Sequence, residues 1–142
     1  MYARILVPLE HSPADETILA HVRELARRLG SALVLVHVAD GWVARNIKEL
    51  DLRESEEMRD DRAYLEDTCA RLVAEGFDAD AVLAAGDPAQ EIAAVAERER
   101  CDLIAMATHG HRLLEDVLRG STATALRHHT MVPILMVRAE KK

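Results

Sequence analysis

Met106-Ala107-Thr108-His109-Gly110, followed after nine residues by Gly120-Ser121, is the part of this chain best suited to chemistry. It leaves an apolar run at residues 103–107 and meets an amphipathic run at Ser121. A small residue and two glycines at such a strand-to-helix turn let backbone N–H groups converge on one point. A helix starting near Ser121 would aim its positive end at the same point, so the segment could cradle a phosphate-sized anion. Gly110 and Gly120 admit close approach, Ser121 offers a hydroxyl, and Thr122 and Ala123 offer further N–H groups. An ordinary turn and helix cap would use the same residue types, so the motif alone leaves both readings open.

The elements that must position this segment are legible as an alternation. Five short apolar runs, at residues 5–9, 32–38, 79–85, 103–107 and 133–137, are the strand candidates. Most are near-continuously apolar, as parallel strands covered on both faces must be. Helices fall between them. Ser12-Pro13-Ala14-Asp15 is a helix start, with a capping hydroxyl, a proline and an acid. Ile18, Val22, Leu25, Ala26 and Leu29 then share one face, and Gly30 supplies the stop. A long helix is expected within residues 50–75, with Met58, Leu65, Cys69, Leu72 and Val73 inward and Gly76 at its end. A third runs from Pro88 to Arg100 and a fourth from Ser121 to about His129. The order is βαβαβαβαβ in one domain, an α/β class with an open, doubly wound parallel sheet.

Bulk composition narrows the function. The 142 residues are 49% apolar and carry a formal net charge of −7. That argues against a nucleic-acid partner, which attracts a basic surface. No apolar run approaches a membrane span and no secretory leader is visible, so no membrane insertion is expected and a cytoplasmic location is the default. Cys69 and Cys101 lack metal or redox spacing and read as small buried hydrophobes. His128-His129 point about 100° apart on a helix and rarely chelate one ion. His37 reads as a satisfied core histidine and Trp42 as a packing residue. There is no Gly-x-x-x-x-Gly-Lys-Ser/Thr loop and no Gly-x-Ser-x-Gly elbow.

The chain resembles the universal stress protein family over nearly its whole length. The match is carried by Ile5-Leu6-Val7-Pro8 with Glu10 and Ser12, by Val36-His37-Val38, by Gly86-Asp87-Pro88-Ala89, by Ala107-x-x-Gly110 with Gly120-Ser121, and by Val132-Pro133-Ile134-Leu135-Met136-Val137. The resemblance implies a five-stranded sheet of order 3-2-1-4-5, with a ligand crevice between the first and fourth strands. It implies an adenine nucleotide there: ATP, AMP or ADP, with Mg²⁺ able to accompany the phosphates. Pro8, Leu9, Glu10 and Val38 would meet adenine and ribose. Ala107, Gly110, Gly120 and Ser121 would surround the phosphates, with Thr122 and Ala123 offering further N–H groups, His109 at a phosphate or the ribose, His111 and Arg112 near the terminal phosphate, and Met106 in the same nucleotide site. It also implies a homodimer through Pro133, Ile134, Leu135, Met136 and Val137.

Two positions depart from the family pattern. Ala107 stands where glycine is most frequent; its Cβ is tolerated if φ is negative and strained if φ is positive. Glu10 stands where aspartate is usual and reaches one methylene further. The leading expectation is a nucleotide-binding stress-response module, with at most slow ATP hydrolysis and an unknown protein partner. The alternatives are a dimeric interaction module that has lost nucleotide binding and, lacking a visible acceptor site, an adenylating transferase.

Overall fold

The computed structural model describes residues 1–40, 47–108 and 122–139. Along the chain lie β1 (Arg4–Pro8), α1 (Ala14–Leu29), β2 (Ala32–Asp40), α2 (Ile47–Ala74), β3 (Ala79–Gly86), α3 (Pro88–Arg98), β4 (Leu103–Thr108), α4 (Thr122–Leu126) and β5 (Ile134–Arg138). All four strand pairings are parallel, in the order β3-β2-β1-β4-β5. The α/β alternation and the 3-2-1-4-5 order are therefore those expected. His109, Gly110, His111, Arg112, Gly120, Ser121 and Trp42 lie outside the described residues.

Side chains alternate across the strands, and each face buries its own layer. Ile5, Val7, Leu33, Leu35, Leu103 and Ala105 pack with Ile18, Leu19 and Val22 of α1 and Leu65 and Leu72 of α2. Leu6, Val34, Val36, Ile104 and Met106 pack on the opposite face with Ile92, Val95 and Ala96 of α3 and Leu126 of α4. The continuous apolar strands exist because both faces are covered.

Local signals explain most helix ends. Gly30 adopts φ +70° and donates its N–H to Ala26 O at 2.8 Å, closing α1. Asp87 caps α3 by accepting the Gln90 N–H at 3.0 Å, with Pro88 following it. α3 stops two residues short of expectation, before Arg100, which adopts φ +57° as the chain reverses. α4 is shorter than expected because its last turn tightens: His128 N–H bonds to Ala125 O and His129 N–H to Leu126 O, each an i→i−3 bond.

Three packing expectations fail. Leu29 is 42% exposed, because Ala26 is the last buried residue of α1 and the final turn overhangs the core. Val73 is 53% exposed while Leu72 is fully buried; neighbours on a helix point about 100° apart, and only one can face the sheet. Ser12 does not cap α1 in the expected way. Pro13 holds the cap position with no side-chain bond, and Ser12 Oγ instead accepts from Ala14 N–H at 3.3 Å and donates to Glu10 Oε2 at 3.1 Å.

Candidate functional site

The winding reverses between β1 and β4. β1 pairs with β2 at all five of its residues, from Arg4↔Ala32 to Pro8↔Val36. With β4 it pairs at Ile5↔Leu103 and Leu6↔Ile104. Beyond that short pairing, at the carboxyl ends of the strands, lies a cleft of about 640 Å³. This is where the crevice of an open α/β sheet must fall, because successive crossovers leave β1 and β4 toward opposite faces.

Seven of the expected residues line the cleft: Pro8, Leu9, Glu10, Val38, Met106, Ala107 and Thr122. They come from β1 and its following loop, β2, β4 and α4. Ala123 is not on the lining; its side chain packs against the second core layer. His109, Gly110, Gly120 and Ser121 lie outside the described residues. Ala107 is part of extended β4 and is not among the non-glycine residues of positive φ, so its Cβ introduces no backbone strain. Glu10 sits exposed on the rim and accepts the Ser12 hydroxyl.

The cleft also gathers residues that the sequence did not single out for it. Asp15 is only 1% exposed. Its carboxylate accepts the backbone N–H of Glu10 at 2.9 Å, of His11 at 2.9 Å and of Ser12 at 3.3 Å. It also accepts the Tyr64 hydroxyl at 2.6 Å. Burial first, and then the Asp15 carboxylate, push the Tyr64 hydroxyl well above the ordinary tyrosine range, so it remains a donor. Asp15 thereby shapes the loop that lines one side of the cleft, including His11 in a left-handed conformation at φ +63°. In sequence it looked like an ordinary first-turn acid, and no local signal separates the two roles.

His37 also lines the cleft. It is half-buried and satisfied, as expected, through Leu9 O at 2.9 Å from its Nδ1, with Asp61 Oδ2 lying 3.2 Å from its Nε2. Met58 and Asp61 bring α2 to the same cavity. The described lining thus holds three carboxylates and two imidazoles, and neither lysine nor arginine. Among the described residues, no group of three or more His, Cys, Asp or Glu is placed to hold a metal ion. His128 and His129 are both exposed in the turn after α4. Cys101 is buried, which pushes its thiol up to about 11, so it remains an unreactive hydrophobe at neutral pH. Cys69 is half-buried and donates its S–H to Ala79 O at 3.3 Å.

Parallel strands wound in both directions from a central pair, with a cleft where the winding reverses, define an open α/β protein of the switch-point type. The chain belongs to the universal stress protein family, whose model matches residues 1–138. It is 32% identical over 147 residues to a universal stress protein of Methanothermobacter thermautotrophicus, covering 97% of each chain. It is 27% identical over 158 residues to universal stress protein MJ0577 of Methanocaldococcus jannaschii, covering 97% of this chain and 96% of that one. The solved structure of MJ0577 superimposes with a TM-score of 0.85 at 26% identity, covering 100% of this chain and 99% of that chain. A universal stress protein from Archaeoglobus fulgidus, solved in complex with dAMP, shares the fold at a TM-score of 0.66 and 21% identity, covering 96% of this chain and 98% of that one. No helix among the described residues is long and apolar enough to cross a membrane.

Proposed function

We propose that the switch-point cleft binds an adenine nucleotide, ATP with Mg²⁺ in its fullest form, and that the chain acts as a homodimeric regulatory module in a stress response. The observation that carries this reading is convergence. Residues 8–10, 38, 106–107 and 122 are distant in sequence, and all line one cavity. Val38 and Met106 offer apolar surface for a base. The carboxylates of Glu10 and Asp61 can accept bonds from ribose hydroxyls or a base amine. An anionic phosphate is disfavoured on that acidic side. It would be received instead on the side of the cleft lined by Ala107 and Thr122. The dAMP complex of the Archaeoglobus protein agrees with this class of ligand.

Millimolar ATP with Mg²⁺ should raise the melting temperature, because a ligand bound only by the folded state contributes about 2.7 kcal/mol at a hundred times its Kd. Gly120→Val places a branched side chain where the phosphates are expected and should abolish the shift without unfolding the protein. An unchanged melting temperature in wild type would favour instead the interaction module without nucleotide. A shift retained in Gly120→Val would move the site elsewhere.

The edge of the sheet supports the dimer reading. β5 is a terminal strand, with Ile134, Leu135 and Val137 half-buried, Met136 56% exposed and Pro133 exposed before it. An apolar edge strand is a template for pairing, and a charge on it is the standard deterrent. Met136→Lys should convert a dimer to a monomer in native mass spectrometry. Wild type that is already monomeric at micromolar concentration would refute the β5 interface.

A further inference from the structure

A second cavity, of about 670 Å³, lies at the amino ends of β4 and β5, the end of the sheet away from the cleft, and shares no lining residue with it. Its lining combines the last turns of α3 with the segment between α4 and β5. Ala93, Ala96 and Cys101 are buried along it, and their small side chains leave the space open. Met131, which is 98% exposed, and half-buried Val132 add apolar surface. Arg100, Arg127, His128 and His129 are exposed on the same lining, against one acid, Glu97.

The fold needs neither arginine side chain. α3 ends in a Schellman motif: Cys101 N–H bonds to Ala96 O at 2.8 Å and Arg100 N–H to Glu97 O at 3.1 Å. The motif holds Arg100 at φ +57°, where glycine is the unstrained choice. Arg127 contributes its backbone N–H to Ala123 O at 3.3 Å, a bond any residue but proline could make. Arg4, Arg23, Arg28 and Arg98 each meet a carboxylate. Among the described residues, the side chains of Arg100 and Arg127 have no hydrogen bond or ion pair, and Glu97 of the same lining pairs with neither.

Two unpaired guanidiniums beside apolar surface complement carboxylates next to an aliphatic side chain. A guanidinium receives a carboxylate through two parallel N–H bonds, and methionine adapts to varied apolar shapes. A nucleic acid fits less well, because its phosphates would extend past the groove onto a chain of net charge −7. We propose that this groove docks an acidic segment of a partner protein, with Arg100 and Arg127 receiving its carboxylates and Met131 and Val132 an adjoining aliphatic side chain. The inference stands apart from the nucleotide reading, since the two cavities share no residue.

The probe is a fluorescein-labelled peptide, Glu-Asp-Leu-Glu-Glu, titrated with the full chain and followed by fluorescence anisotropy. Wild type should bind it saturably below about 1 mM at low salt, and more weakly as added salt screens the charges. The double variant Arg100→Gly, Arg127→Gln should bind at least about tenfold more weakly, as should wild type with the uncharged peptide Gln-Asn-Leu-Gln-Gln. The variant should stay folded, because glycine relieves the left-handed position, and should keep any ATP-induced rise in melting temperature. If it fails to fold by circular dichroism, nitrogen-15 NMR of wild type decides: the acidic peptide should shift the amides of Arg100, Arg127, Met131 and Val132. Absence of saturable binding, equal affinity in the double variant, or shifts confined to other residues would overturn the proposal. Tighter binding of an oligothymidylate of equal charge would overturn it in favour of nucleic acid, and loss of a wild-type oligomer in the double variant in favour of a contact between copies. Failure of wild type to bind ATP would overturn the nucleotide reading alone, because peptide binding is read separately.

Discussion

Asp15→Ala should lower stability by about 3–5 kcal/mol and remove ligand binding at the cleft in the same step. Four donors converge on this carboxylate, three from the backbone and one from Tyr64, at a position almost closed to water. Each buried polar group left without a partner costs about 1–3 kcal/mol, and loosening of the loop recovers part of that by letting water in. His11 would also lose the bond that helps hold it at positive φ. Asp15→Asn keeps the shape but turns an amide N–H₂ toward groups that also donate, so it should retain only part of the stability. Urea denaturation of both variants, with binding measured in parallel, checks this. Asp15→Ala within about 1 kcal/mol of wild type would show that the loop holds its shape by other means.

The second large effect separates two adjacent residues. Leu72→Ala should cost about 2–5 kcal/mol, because it leaves a cavity between α2 and the sheet. Val73→Ala should change stability by about 0.5 kcal/mol or less, since that side chain is largely in solvent. The urea midpoint should fall with an unchanged slope for the first and hardly move for the second. Similar losses at both positions would mean that α2 is rotated from the orientation described.

The contrast at Leu72 and Val73 shows where reading a sequence stops. Apolar spacing predicts that α2 has a buried stripe, but two adjacent apolar residues at its margin are equivalent until the sheet is in place. Glu10 and Asp15 show the same limit for polar groups. Both are acids near the start of α1, five residues apart. One lies on the rim of the cleft and the other is enclosed by the loop it organises. Residue type does not distinguish them; the difference is made by the three backbone N–H groups that the loop folds onto Asp15 and by Tyr64, 49 residues away.

What the sequence determined by itself is what depends on short range or on periodicity. Continuous apolar strands require a sheet covered on both faces. Gly30, Asp87 and Pro88 end or begin helices through bonds within a few residues. Of the motif, the described residues Met106, Ala107 and Thr108 close β4, one residue later than the apolar run indicated, and Thr122, just after it, opens α4. Tertiary structure alone decided which charged and polar side chains meet. Asp61 joins His11 and His37, and Asp15 joins Tyr64, only because parallel winding brings β1, β2 and α2 to one edge of the cleft. A carboxylate on a helix surface carries no mark of its partner; the pairing arises from the packing of elements, which periodicity does not encode.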